Sequence, residues 1–137
     1  MRKILFRGKR IDNGEWVEGY ITRRPSAIQF GAHYSPWFID KPPSDPDDSG
    51  DFCNVDGKTV GQFTGLTDRK GKRIFEGDIV KWDGTEISII RYCDGVYRLC
   101  NAKGYYGVSV HNHYSFVEVV GNVHDNPDLL ANEKEET

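Results

Sequence analysis

The sequence predicts a mainly β protein built from short antiparallel strands, and three observations carry that prediction. Glycine-based turn signals recur about every ten residues through the second half, at Lys70-Gly71, Asp83-Gly84, Asp94-Gly95 and Lys103-Gly104. The segments between them are short, alternating and rich in Ile, Val, Tyr and Phe. Fifteen glycines against one methionine, with 12% aromatic residues, suit turn-rich sheets better than a helical bundle.

Each element has its own signal. Ile4 and Phe6 alternate with Leu5 and Arg7 before Asp12-Asn13-Gly14, and Asn-Gly readily adopts the positive φ angles of a tight hairpin turn. Residues 16–22 read as the returning strand, with Val17 and Ile21 on one face and Trp16 and Tyr20 on the other. Residues 3–22 are therefore expected to form a β-hairpin, followed by short strands at 27–30 and 37–39. Residues 40–51 form an acidic loop, because its three prolines remove backbone donors and its Ser and Asp residues favour turns. Asp56-Gly57 marks a turn before a strand at 59–63. Further strands are expected at 77–82, 87–92, 96–100, 105–110 and 116–123. A strongly curved sheet of this size escapes the liability of open edges by closing, so the second half predicts a small SH3-like β-barrel. Asn126-Pro127 opens a short C-terminal helix, with Asn126 as its cap and Pro127 where no donor is needed. The expected organisation is an N-terminal β subdomain over residues 1–58, a barrel subdomain over 59–125, and a helix and tail over 126–137.

Composition narrows the function classes. The chain has 137 residues, a net charge of −3 and a pI near 5.8, which argues against bulk electrostatic binding to nucleic acid. Charge is uneven, however: residues 1–30 carry seven Lys or Arg against three acids, leaving room for a local basic face. Three cysteines, Cys53, Cys93 and Cys100, are too few and too odd in number for a secreted disulfide framework. A Cys93–Cys100 bridge across a hairpin stands beside reduced, buried thiols as the two options. The N-terminal apolar run Ile4-Leu5-Phe6 is too short for a signal sequence, and no stretch reaches the ~20 apolar residues of a membrane span. A soluble cytoplasmic protein with no membrane partner is expected.

The stretch VGQFTGLTDRKGKRIFEGDIVKW at 60–82 is the most informative part of the chain. Gly65, Gly71 and Gly77 break it into turns, Asp68 can bond its own downstream backbone, and Ile74, Phe75, Ile79 and Val80 supply core. These residues, with Arg2-Lys3-Ile4-Leu5-Phe6-Arg7-Gly8, Trp16-Val17-Glu18-Gly19-Tyr20, Gly121-Asn122-Val123 and Asn126-Pro127-Asp128-Leu129-Leu130, resemble the YopX family of bacteriophages and prophages of Gram-positive bacteria. The resemblance covers nearly the whole chain. It implies a predominantly β phage protein with a barrel-like C-terminal part, and it brings no catalytic residues with it.

No constellation in the sequence amounts to a catalytic site, and no cofactor is implied. His111-Asn112-His113 would place two imidazoles on one face if extended, but the gap between Cys93 and Cys100 does not fit paired zinc ligands. Asp45, Asp47, Asp48 and Asp51 lack the register and closing bidentate carboxylate of a calcium loop. There is no nucleophile elbow, phosphate loop or dinucleotide fingerprint. The densest cationic cluster, Arg69, Lys70, Lys72 and Arg73, can hold phosphates or a partner surface, with Tyr105 or Tyr106 placed to stack on bases. The expected function is a non-enzymatic interaction or assembly module that associates with itself and with a phage or host protein. A nucleic-acid-associated module of phage replication or regulation is the alternative, and an enzyme a distant third.

Overall fold

A computed structural model describes residues 4–24, 35–41, 51–82, 86–101 and 107–130. The chain divides into two compact units, Met1–Gln62 and Phe63–Thr137.

The N-terminal unit is an antiparallel sheet. It contains β1 (Phe6–Lys9), β2 (Trp16–Arg23), β3 (Trp37–Lys41) and β4 (Asp51–Asn54), in the order β4-β3-β2-β1. The first residues of β5 (Gly61–Thr67) pair with β1 through Phe6 opposite Gln62. The expected hairpin is present, with Phe6 opposite Gly19 and Lys9 opposite Trp16. Its connection is wider than a two-residue turn. Arg10 and Glu15 close it (2.9 Å), the Gly14 amide donates back to the Arg10 carbonyl (3.0 Å), and only Gly14 takes positive φ, at 72°. The strand expected at 37–39 is β3, two residues longer. β4 was not expected at all, and it pairs with β3 through Ile39 opposite Cys53. Residues 27–30 lie outside the described residues. Side chains directly opposite across an antiparallel ladder share a face. One face thus carries Ile21, Ile39 and Cys53 and forms the core with Val55, Ile39 and Val55 being fully buried. Asp56 caps a 3-10 turn at Gly57–Thr59, accepting from the Lys58 amide, and the Thr59 hydroxyl accepts from the Lys9 amide.

The C-terminal unit holds the remainder of β5, β6 (Arg73–Phe75) and a four-stranded sheet. That sheet contains β7 (Asp78–Lys81), β8 (Ile87–Cys93), β9 (Val96–Cys100) and β10 (Glu118–Asn122), in the order β10-β7-β8-β9. The β8–β9 hairpin follows directly from Asp94-Gly95. Both residues take positive φ, 53° and 83°, which matches the twist of the flanking strands and which Asp and Gly tolerate best. Alternation along β7 to β10 places Val80, Ile90, Leu99 and Val119 in one cluster with Ile74, Val110 and Val117.

The unit is mainly β, but its sheets do not close into the predicted SH3-like barrel. A strand over 105–110 beside β9 was expected, of which residues 105 and 106 lie outside the described residues. Instead, Ser109 makes one isolated bridge to Arg98, and the chain then turns into 3-10 segments at Val110–Asn112 and Tyr114–Phe116. β10 also breaks register between Val119 and Gly121. The short helix begins at Asp128, where the Leu129 and Leu130 amides donate to the Asn126 and Pro127 carbonyls. The Asn126 side chain does not cap it but turns back to accept from the Asn122 amide (3.2 Å).

Candidate functional site

The cationic turn at 68–73 is organised by a buried carboxylate. Asp68 Oδ1 accepts from the amides of Lys70 (2.9 Å) and Lys72 (2.8 Å), and Oδ2 accepts from the Val119 amide in β10 (2.8 Å). Gly71 at φ 84° lets the turn close, its amide donating to the Asp68 carbonyl. Glu118 then accepts from Arg69 (2.9 Å) and pairs with Lys70 (2.9 Å). Those two cations, Arg69 first, hold the Glu118 carboxyl below its ordinary pKa. Arg73 lies over the Phe63 ring at 5.9 Å. Two of the four predicted cations are therefore committed to holding the β5–β6 turn against β10. Tyr105 and Tyr106 lie outside the described residues.

The imidazoles do not converge. Val110–Asn112 is helical rather than extended, so His111 is exposed while His113 turns inward against Trp82 (5.7 Å between rings). The His113 Nδ1 lies 3.0 Å from the Ser109 carbonyl, which can only accept. Nδ1 therefore carries the proton, and Nε2 is left as an acceptor in the neutral ring. His113 lines a groove of about 400 Å³ with Trp82, Glu86, Ser88, Leu99 and Asn101. Inside it the Trp82 indole donates to the Ser88 hydroxyl (3.1 Å). Among the described residues no three His, Cys, Asp or Glu side chains gather as a metal site, and Cys53, Cys93 and Cys100 are free thiols. In the same unit, burial raises the Glu76 carboxyl against the opposing pull of Arg91.

The surface that sequence reasoning missed is the open face of the N-terminal sheet. Register places Tyr20, Asp40 and Phe52 in one row across β2, β3 and β4, with Thr22, Phe38 and Asn54 in the next. The rings of Phe38 and Phe52 stack at 4.6 Å and 6°. The Arg24 guanidinium caps that column, 4.1 Å from the Phe52 ring centre. Further along, the Trp16 ring receives Arg7 at 4.8 Å and Lys9 at 5.7 Å. Tyr20 stays 59% exposed and Phe52 44%. The outward alternation of Trp16 and Tyr20 was readable in the sequence. Phe52 was not, because its strand was not.

The geometry defines a class: a small all-β protein of short antiparallel strands in two units, with an aromatic and cationic sheet face. Within that class the chain belongs to the YopX family, whose family model, described as YopX protein, matches residues 6–131. Among solved structures it is similar to protein EF1440 from Enterococcus faecalis. The TM-score is 0.51 at 22% identity, covering 95% of this chain and 99% of that one, a likeness of fold. Among curated proteins nothing matches this sequence. No helix among the described residues is long and apolar enough to cross a membrane.

Proposed function

We propose that this protein is a non-enzymatic interaction and assembly module of phage or prophage origin, working in the bacterial cytoplasm. The observation that carries the reading is the open face of the N-terminal sheet. Aromatic rings and Arg are the side chains enriched where proteins meet: the rings offer large contact area at little entropic cost, and the planar guanidinium stacks on them while presenting several donors. Here Tyr20 and Phe52 keep much of that area in water while Ile39 of the same sheet, and Val55 just after β4, are fully buried. Family membership supports the origin, through the kinship of YopX proteins with phage and prophage genes.

A second reading, association with nucleic acid, has the cations beside Trp16 in its favour. It is weakened by charge, since residues 1–62 hold nine Lys or Arg and nine Asp or Glu, whereas a phosphate chain calls for a positive excess.

The test is affinity capture of the tagged chain from prophage-induced cells, run beside Phe52→Glu. A stoichiometric protein retained by the wild type and lost from the variant is the expected result. Identical captures from both would remove this face from the account.

A further inference from the structure

We infer that the open face of the N-terminal sheet takes a second copy of this chain, packed face to face about a twofold axis. The inference rests on the interaction reading above and names the partner of that surface.

Two features single out a like partner. The first is charge. Arg24 and Asp40 lie on the same face, Arg24 capping the Phe38–Phe52 column and Asp40 in register between Tyr20 and Phe52. Among the described residues no ion pair engages either of them. A twofold interface is self-complementary: if Arg24 of one copy meets Asp40 of the other, the reverse contact forms by symmetry. One rotation therefore pairs both charges twice while burying the rings between them. A phosphate backbone would leave Asp40 facing like charge, and a partner surface of a single charge sign would satisfy only one of the two groups, whereas a second copy brings both.

The second feature is the strand pattern. β4 ends the sheet, and Phe52 in it is both an edge residue and the centre of the aromatic column. Phe52 therefore offers a half-exposed ring on the face at that end of the sheet. Size sets the expected strength. Four strands of four to eight residues, at ~3.3 Å rise and ~4.8 Å spacing, give a flat footprint of about 300 Å². That is a modest interface beside the ~800 Å² of accessible surface per partner in stable complexes. The dimer should therefore be concentration-dependent, dissociating in the micromolar range.

The experiment is sedimentation velocity of the purified chain over a concentration series from about 1 μM to 1 mM. It is repeated for Phe52→Glu, Arg24→Asp and Asp40→Arg, and for an equimolar mixture of the two charge variants. Circular dichroism establishes that each variant is folded. The wild type should shift from monomer to dimer across the series. Each single variant should weaken association at least tenfold, and mixing Arg24→Asp with Asp40→Arg should restore it. Restoration on mixing cannot arise from misfolding.

A strict monomer at the top concentration overturns the inference, and so does a dimer indifferent to all three substitutions. Loss in the single variants without rescue on mixing overturns the twofold pairing. Salt-dependent binding of a single-stranded oligonucleotide by a monomeric wild type, lost in Phe52→Glu, would assign the face to nucleic acid. A monomeric purified chain that still captures a different protein through Phe52 would leave the interaction reading standing and the self-association wrong.

Discussion

The two units spend their apolar residues differently. In the C-terminal unit, Ile74, Val80, Ile90, Leu99, Val110, Val117 and Val119 form one buried cluster, and its connections are fixed by carboxylates that are themselves buried. Asp68 holds three amides from two segments, and Asp78, 1% exposed, accepts from the Phe75 amide (2.8 Å). Among the described residues the N-terminal unit has a smaller core of Leu5, Ile39, Cys53 and Val55, and Tyr20, Phe38 and Phe52 share the opposite face. Aliphatic burial, and carboxylates that accept from otherwise stranded amides, stabilise a fold. Half-exposed rings stacked with guanidinium groups contribute less to folding and remain available to a partner. Stability should therefore reside mainly in one unit and recognition in the other.

The sharpest way to break this contrast is Asp68→Ala. It strands the amides of Lys70, Lys72 and Val119, so urea unfolding should show a loss of roughly 3–5 kcal/mol. A loss under ~1 kcal/mol would mean that water replaces the carboxylate freely. Ile90→Ala comes next. Its side chain is fully buried in the cluster, and truncation should cost about 3 kcal/mol in the same assay. Phe52→Ser should by contrast cost less than about 1 kcal/mol while abolishing association, because the ring is already 44% exposed. A large stability loss there would make Phe52 a core residue and erase the contrast.

The smallest effect concerns Glu118. Its carboxyl is held low by Arg69 and then Lys70, so its contribution is present at neutral pH and is lost as pH falls below the ordinary carboxylate range. An NMR titration should find its midpoint below the ordinary 4.5, and Arg69→Gln should move it upward. An unmoved midpoint would show that the ion pairs seen at the turn do not persist in solution.

Much of the C-terminal unit was legible because local chemistry dictates it. Asp94-Gly95 specifies a tight hairpin turn, and the alternation on either side gives β8 and β9 nearly residue for residue. Asp68 was legible as a turn former, since two of its bonds are to its own downstream amides. Its third bond, to Val119, spans 51 residues and has no local trace. The cations at 69–73 were legible as a cluster, but Glu118, 49 residues from Arg69, determines what two of them do. Turn rhythm and sheet curvature suggested a barrel, but beyond the single bridge at Ser109 the chain enters two 3-10 segments, which leave no local trace in the residue pattern. The open face needed the register of three strands, and β4 is only four residues with two apolar ones, beside a loop.

Hydrogen exchange with mass spectrometry, followed at low and high protein concentration, tests the central claim most directly. Protection should be strongest in β7 to β9 and independent of concentration there, and should rise with concentration in β2 to β4 alone. Concentration-dependent protection in the four-stranded sheet, or none in the N-terminal strands, would contradict the division between a stabilising unit and a recognising one.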